Sequence, residues 1–296
     1  MTIDQTDQEA PHPMHAEDVD VEAAAELRAA RWRRRMVTLG WVATAVVVLT
    51  VIWRFGGTDV SFDTDATADP DAKFDWGFFF ALIPDFLEAL WVTVQATIAG
   101  FAVAIVLGLF LALGRRSDHR ALRWPFSFFI EFVRSTPLLI QLYFLFYALP
   151  TISWLPESVR VLDPLPALII GLGIHYATYC SEAYRAGIDS VPKGQWEAST
   201  AMNLPRRTTW GRVILPQAIP NVLPALGNYL VAGFKDAPLG SSIQVTGVLF
   251  FAKTISSRTF RPVETYTLVG IGFLAVSIPA AFLIRRLERR IAYERT

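Results

Sequence analysis

The feature that most constrains this chain is the gathering of its apolar residues into blocks of roughly 17 to 25. Each block is long enough, as a helix, to cross a hydrocarbon core of about 30 Å. Lipid offers no water to backbone N–H and C=O groups, so such blocks fold as helices that satisfy those groups internally. The fold class expected is therefore an all-α membrane protein. The blocks are 37–53, 89–113, 128–149, 165–184, a fifth that starts near Ile219, and 266–284. The fifth is interrupted at Phe234-Lys235-Asp236-Ala237-Pro238, and a less apolar stretch follows to about Glu264. Charged residues make up only 18% of the chain against 53% hydrophobic, so where the charges sit matters more than their zero sum.

The basic residues sit in alternate loops. Arg31, Arg33, Arg34 and Arg35 precede the first block, and Arg115, Arg116, Arg120 and Arg123 follow the second. Arg185, Lys193, Arg206, Arg207 and Arg212 fill the loop after the fourth, and Arg285, Arg286, Arg289 and Arg290 follow the last. The intervening loop 59–75 is acidic, with Lys73 its one cation. The positive-inside rule then places both termini in the cytoplasm. Lys253, Arg258 and Arg261 lie outside on this count, and their segment is expected to re-enter the membrane partly, packed against protein. The organisation expected is a disordered acidic tail with a basic flank over 1–35, an N-terminal membrane helix over 36–54, an outer linker over 55–88, and a transmembrane domain over 89–290 carrying a cytoplasmic loop at 185–217. The late basic cluster and the lack of a small-residue cleavage site argue against a signal peptide. The one cysteine, Cys180, excludes an intrachain disulfide and a thiolate metal cluster, and reads as a small apolar residue inside a membrane helix.

The cytoplasmic loop is the most informative stretch. Pro192 suits a helix's first turn and Pro205 stops what precedes it, leaving room for about three turns. Trp196, Thr200 and Ala201 share one side, with Glu197 beside them. A second short helix fits 208–214, ahead of Pro216. Two short helices on the inner face of a bundle form a knob able to seat in a groove of a soluble partner. The plainer reading is a solvated helical linker, which would seldom keep Trp, Met and Ile together.

Glu197-Ala198-Ser199, followed by Val213-Ile214-Leu215-Pro216, resembles the "EAA" loop of ABC importer permeases. Ser181-Glu182-Ala183-Tyr184-Arg185-Ala186-Gly187, Glu131 to Gln141, and Leu223-Pro224-Ala225-Leu226-Gly227-Asn228 resemble the polar amino acid branch. The resemblance covers roughly 76–290. It implies a type I importer permease core of five membrane helices, with block 37–53 as an extra N-terminal helix. It implies a coupling helix, here Gly194, Trp196, Glu197, Ala198, Ser199, Met202 and Asn203, that fits a cleft on an ATPase. The partners it implies are an ATPase dimer, a second permease subunit (a copy or a paralogue), an extracytoplasmic solute-binding protein and the lipid of a prokaryotic cytoplasmic membrane. The solute implied is a polar amino acid or a zwitterion such as ectoine or hydroxyectoine, moved by alternating access. Within the loop Asn203 stands where the family usually has Gly, and Ser199 replaces the second Ala. Asn is next best after Gly in a left-handed helix cap. Lys235-Asp236-Ala237-Pro238 departs from the family's usual Lys-Asp-Thr-Ser.

Ionisable and polar residues at membrane depth are costly, on the order of 3 kcal/mol each, and mark function. The pathway candidates are Arg134, Thr136, Gln141, His175, Lys235 and Asp236. Glu131 and Arg134 lie one turn apart and are expected to pair, as are Glu182 and Arg185. Thr136-Pro137 is expected to break its helix and turn Gln141 towards the pathway. His175 reads first as a hydrogen-bonded buried histidine. The chain carries no GxxxxGK[ST], so ATP would be hydrolysed on another polypeptide. No HExxH, CxxC or GxSxG is present, and no metal, cofactor or nucleic acid is called for. The rivals are an ion-driven secondary transporter, which would show two related halves, and a membrane enzyme, which would need a catalytic cluster.

Overall fold

The computed structural model describes Phe62 and residues 73–293, all within the compact unit Gly40–Thr296. The tail 1–35, the helix 36–54 and most of the linker 55–88 lie outside the described residues. The described chain is all helical. Helix α1 (Trp76–Ala81) is capped by Asp75, whose carboxylate accepts the Phe78 N–H at 2.9 Å. Helix α2 (Ile83–Arg115) follows at once, so helical structure begins inside the stretch expected to be linker.

The expected third span is not one helix. Helix α3 (Arg120–Arg134) ends at Ser135, and α4 (Leu138–Tyr143) continues through a wide turn, Phe144–Ala148, and a tight one, Leu149–Thr151. The two halves meet at 106°. Pro137 offers no N–H and drives Thr136 out of helical geometry. The bend falls there, which leaves Phe128 on α3 and not on the α4 segment. Helix α5 (Pro164–Asp189) starts with proline in its first turn, where a missing N–H costs nothing.

The loop 185–217 holds α6 (Lys193–Ala201) and a short turn, Arg206–Thr208, that widens over Thr209–Ile214 and runs into α7 (Leu215–Asp236). Pro216 therefore does not stop a helix. The carbonyl its ring would strike belongs to Arg212, inside the widened turn, where there is room. Helix α7 gives way to a tight helical segment, Ala237–Ile243, at the expected interruption. Helix α8 (Val248–Thr259) and α9 (Pro262–Tyr293) complete the chain.

By length and hydropathy together, two described helices qualify as membrane spans, α2 and α9, and the bent α3–α4 pair makes a third if counted as one crossing. Helices α5 and α7 have the length but carry polar residues. Most of α5 is buried by protein, so lipid is not its solvent. Small residues make that burial possible. Gly100, Ala104 and Gly108 form a stripe on α2 facing α5. A Cβ on Gly108 would come within 2.7 Å of Cys180 Cβ and 2.8 Å of the Ala177 carbonyl, and one on Gly173 within 2.6 Å of Val103. Such stripes let helix backbones approach closely within a membrane. Cys180 fills this seam as a small buried residue.

Helix α8 spans only about 18 Å and is too short to cross. Its first N–H, on Val248, is taken by the hydroxyl of Thr93 on α2 at 3.1 Å. Phe251, Ala252 and Ile255 pack with Phe62, Phe78, Phe86 and Leu268. The segment carrying Lys253 and Arg258 is thus held by protein at its start. At its other end Arg258 donates to the Phe62 carbonyl at 2.9 Å, and Glu264 accepts the Asp75 N–H at 3.0 Å and an Arg261 N–H at 3.2 Å. These bonds tie the chain just ahead of the bundle to the turn between α8 and α9.

Candidate functional site

The knob of the loop 185–217 is built on one aromatic contact. Trp196 of α6 meets Trp210 edge-on at 5.2 Å, against a small core of Ile188, Val191, Ile214 and Ala218. Trp196 is half-buried and Ser199 is 2% exposed, its hydroxyl donating to the Gln195 carbonyl at 2.7 Å. Trp196 and Ser199, three residues apart, therefore seat the helix on the bundle. Of the residues that the family resemblance places on the coupling surface, Trp196 is thus turned to the bundle and Ser199 is buried, while Thr200 and Ala201 are exposed beside them. A serine whose hydroxyl is returned to its own backbone buries as easily as alanine. Gly194, Glu197, Ala198, Met202 and Asn203 of the coupling set lie on the exposed surface.

Helix α6 ends in a Schellman cap. The Leu204 N–H reaches the Ser199 carbonyl at 3.0 Å and the Asn203 N–H the Thr200 carbonyl at 2.9 Å. Asn203 takes the left-handed conformation that this cap requires, φ 53°. Gln217 and Asn221 of α7 tie the knob down through Gln195 at 3.3 Å and Ser190 at 2.5 Å.

A second polar group lies within the bundle. The Gln141 amide donates to the carbonyls of Val133 at 2.7 Å and Thr136 at 3.0 Å, and to the Thr136 hydroxyl at 2.9 Å. Its oxygen lies 3.3 Å from His175 Nδ1. At the bend in α3–α4 the Gln141 side chain takes up the Thr136 carbonyl and shares the Val133 carbonyl with the Thr136 N–H and hydroxyl. Thr136, Gln141 and His175 thus form one hydrogen-bonded line across the break. On the next residue of α5, the Tyr176 hydroxyl donates to Asp236 at 2.6 Å, where α7 ends. Lys235 points to an exposed position and joins no described ion pair.

Arg134 lies over the Tyr179 ring at 5.3 Å and reaches Glu182 at 3.9 Å. Glu131 instead reaches Arg115 at 3.5 Å. The expected Glu131–Arg134 pair is absent because each has a partner on another helix. Glu182 does pair with Arg185, at 2.8 Å, and also binds Arg115. One carboxylate therefore gathers arginines from three helices. Tyr176 and Tyr179, with Tyr229 packed against Tyr179 at 5.7 Å, carry no site role in the sequence reading, and Arg115 enters it only as a topology marker. Period-four spacing from His175 to Tyr179 was the available signal, and aromatic residues in a membrane helix read first as lipid-facing or core.

Residues 104–293 match the family described as binding-protein-dependent transport system inner membrane component. A probable amino-acid ABC transporter permease protein of Sinorhizobium fredii is 42% identical over 214 residues, 71% of this chain and 89% of that protein. The L-cystine transport system permease protein TcyB of Bacillus subtilis is 36% identical, over 69% of this chain and 86% of its own. The glutamine transport system permease protein GlnP of Escherichia coli is 32% identical, over 74% and 98%. Among solved structures, a chain from an amino acid ABC transporter superposes with a TM-score of 0.69 at 29% identity, covering 74% of this chain and all of that one. A chain of the MetNI methionine ABC transporter shares the fold, with a TM-score of 0.60 at 19% identity, covering 71% and 97%. The bent helices, the knob and these matches agree, and the chain belongs to the family of inner membrane components of binding-protein-dependent transport systems.

Proposed function

We propose that this chain is the permease subunit of an ATP-driven importer for a polar amino acid or a related zwitterion, ectoine and hydroxyectoine included. It would work in a prokaryotic cytoplasmic membrane with both its termini inside. It would pair with a second permease subunit, a copy or a paralogue, above an ATPase dimer, and receive solute from an extracytoplasmic binding protein. The names of the relatives support the solute class. The observation that carries the reading is the knob: α6 is fixed to the bundle by Trp196 while Glu197, Ala198 and Met202, 63% exposed, are left facing outward. A partner gripping that surface would move α6, and the Trp196–Trp210 contact would pass the motion to α7. The solute would pass along Arg134, Thr136, Gln141, His175, Lys235 and Asp236 as the bundle alternates between inward- and outward-facing states. An ion-gradient-driven transporter is not favoured, because the family couples to a separate protein.

Glu197→Lys tests the docking role. The side chain is exposed and makes no described internal bond, so insertion and melting should match the parent. Uptake in cells carrying the cognate ATPase should fall at least tenfold, since a reversed charge at a packed interface costs more than about 1.4 kcal/mol. Normal uptake by the variant would remove the docking surface from this account.

A further inference from the structure

Helix α3 carries two surfaces of different kinds. One is turned to protein: Ile130 and Val133 are buried, Phe126 meets Phe110 at 5.3 Å, and Glu131 reaches Arg115. The other is a ladder of large rings. Trp124, Phe128 and Phe132 follow at four-residue intervals, 66%, 58% and 57% exposed. Their rings stack at 5.6 Å and 6.1 Å with interplanar angles of 16° and 21°. At the start of the same helix, Arg120 and Arg123 are exposed and have no acidic partner among the described residues.

The orientation of α3 gives this ladder its meaning. From Phe126 to Glu131 its contacts on α2 stay within the last turn and a half, Phe110 to Arg115. Arg134, a turn further on, is still level with Glu182 near the cytoplasmic end of α5. The helix therefore crosses the cytoplasmic end of the bundle and does not run along it, in keeping with the 106° bend to the segment that follows.

We propose that α3 is a membrane-surface helix of the cytoplasmic leaflet. Trp124, Phe128 and Phe132 sit among the upper acyl chains, and Arg120 and Arg123 hold the phosphates of anionic phospholipid headgroups. An amphipathic helix with aromatic residues on one face and arginines at its border is suited to that boundary, and tryptophan is at home there. A stacked ladder beside two unpaired arginines fits lipid, whose apolar and anionic parts lie about a headgroup apart. The helix leads through 135–137 directly to Gln141, and Arg134 at its end reaches Glu182. The inference rests on membrane insertion alone and is independent of the solute.

The test places a spin label at each rung. Trp124→Cys, Phe128→Cys and Phe132→Cys are made singly in a Cys180→Ala full-length chain, reconstituted in phosphatidylcholine vesicles with or without phosphatidylglycerol. Immersion depth is read from relaxation by oxygen and by a water-soluble reagent. The three labels are expected at one depth within about 3 Å, all accessible to oxygen. A helix crossing the bilayer would instead deepen by about 6 Å per rung, and that result overturns the proposal. Labels shielded from both reagents would show protein covering the ladder, and would overturn it equally. In the unlabelled chain, Arg120→Gln and Arg123→Gln should each reduce selective retention of phosphatidylglycerol about fivefold. Unchanged selectivity in the double variant would remove the headgroup site.

Discussion

The carboxylate of Glu182 accepts from Arg115 and Arg185 and lies near Arg134, so a single side chain joins α2, α3 and α5. It is 19% exposed, partly shielded from solvent, and a hydrogen-bonded charge there is worth more than a surface pair. Glu182→Gln is expected to cost about 2 kcal/mol, read as a lower melting temperature of the detergent-solubilised protein. An unchanged melting curve would show that the three arginines are served as well by water. Asn203 offers a cleaner case, because its role is conformational. Asn203→Gly should keep the left-handed cap and wild-type uptake. Asn203→Val should lose about 1–2 kcal/mol in that turn and loosen α6, with a fall in coupled ATPase activity and little change in expression. The Asn203 conformation was legible in the sequence, since few residues follow a helix of this kind with positive φ. The partners of Glu131 and Arg134 were not. Helical spacing shows which residues can meet within one helix, while their choice of partner was made by two neighbouring helices that spacing does not encode.

At the scale of elements, punctuation was easier to read than shape. Thr136-Pro137 and the Lys235–Pro238 interruption both mark real breaks. Pro216, by contrast, lies within a continuous helix, because a widened turn makes room for it. Proline chemistry says that a hydrogen bond is lost, and the tertiary setting decides whether the helix ends or swells. The close seam between α2 and α5 was also hidden, since glycines in an apolar block leave no polar trace. It can be tested directly. Gly108→Leu should separate the two helices, because the atoms it would strike include the Ala177 backbone; the expected cost is about 1–3 kcal/mol or more, seen as a lower melting temperature and poor yield. Gly194→Ala meets nothing within 4 Å and should leave melting unchanged. Equal effects from the two substitutions would argue against a close-packed seam.

For the whole molecule, the alternation of apolar blocks with basic loops gave the class of fold, because crossing a membrane leaves so few solutions. It gave the number of elements less well. Helices α5 and α7 are sheltered by their neighbours and need not be apolar throughout, whereas α9, with only 17% of its apolar window buried, carries a strong hydropathy signal. The polar line from Thr136 to His175 sits in that sheltered interior, and the α6 knob, the proposed docking surface, sits outside it. The account requires these two regions to be coupled. The most direct measurement is ATPase activity in vesicles of the chain assembled with its cognate ATPase, partner permease and solute-binding protein, on addition of individual amino acids and ectoines. The account expects one solute or a small chemical group of them to raise ATP hydrolysis several-fold, and Glu197→Lys to abolish the rise. Uptake driven by an ion gradient alone, with hydrolysis indifferent to every solute and to Glu197→Lys, would contradict it.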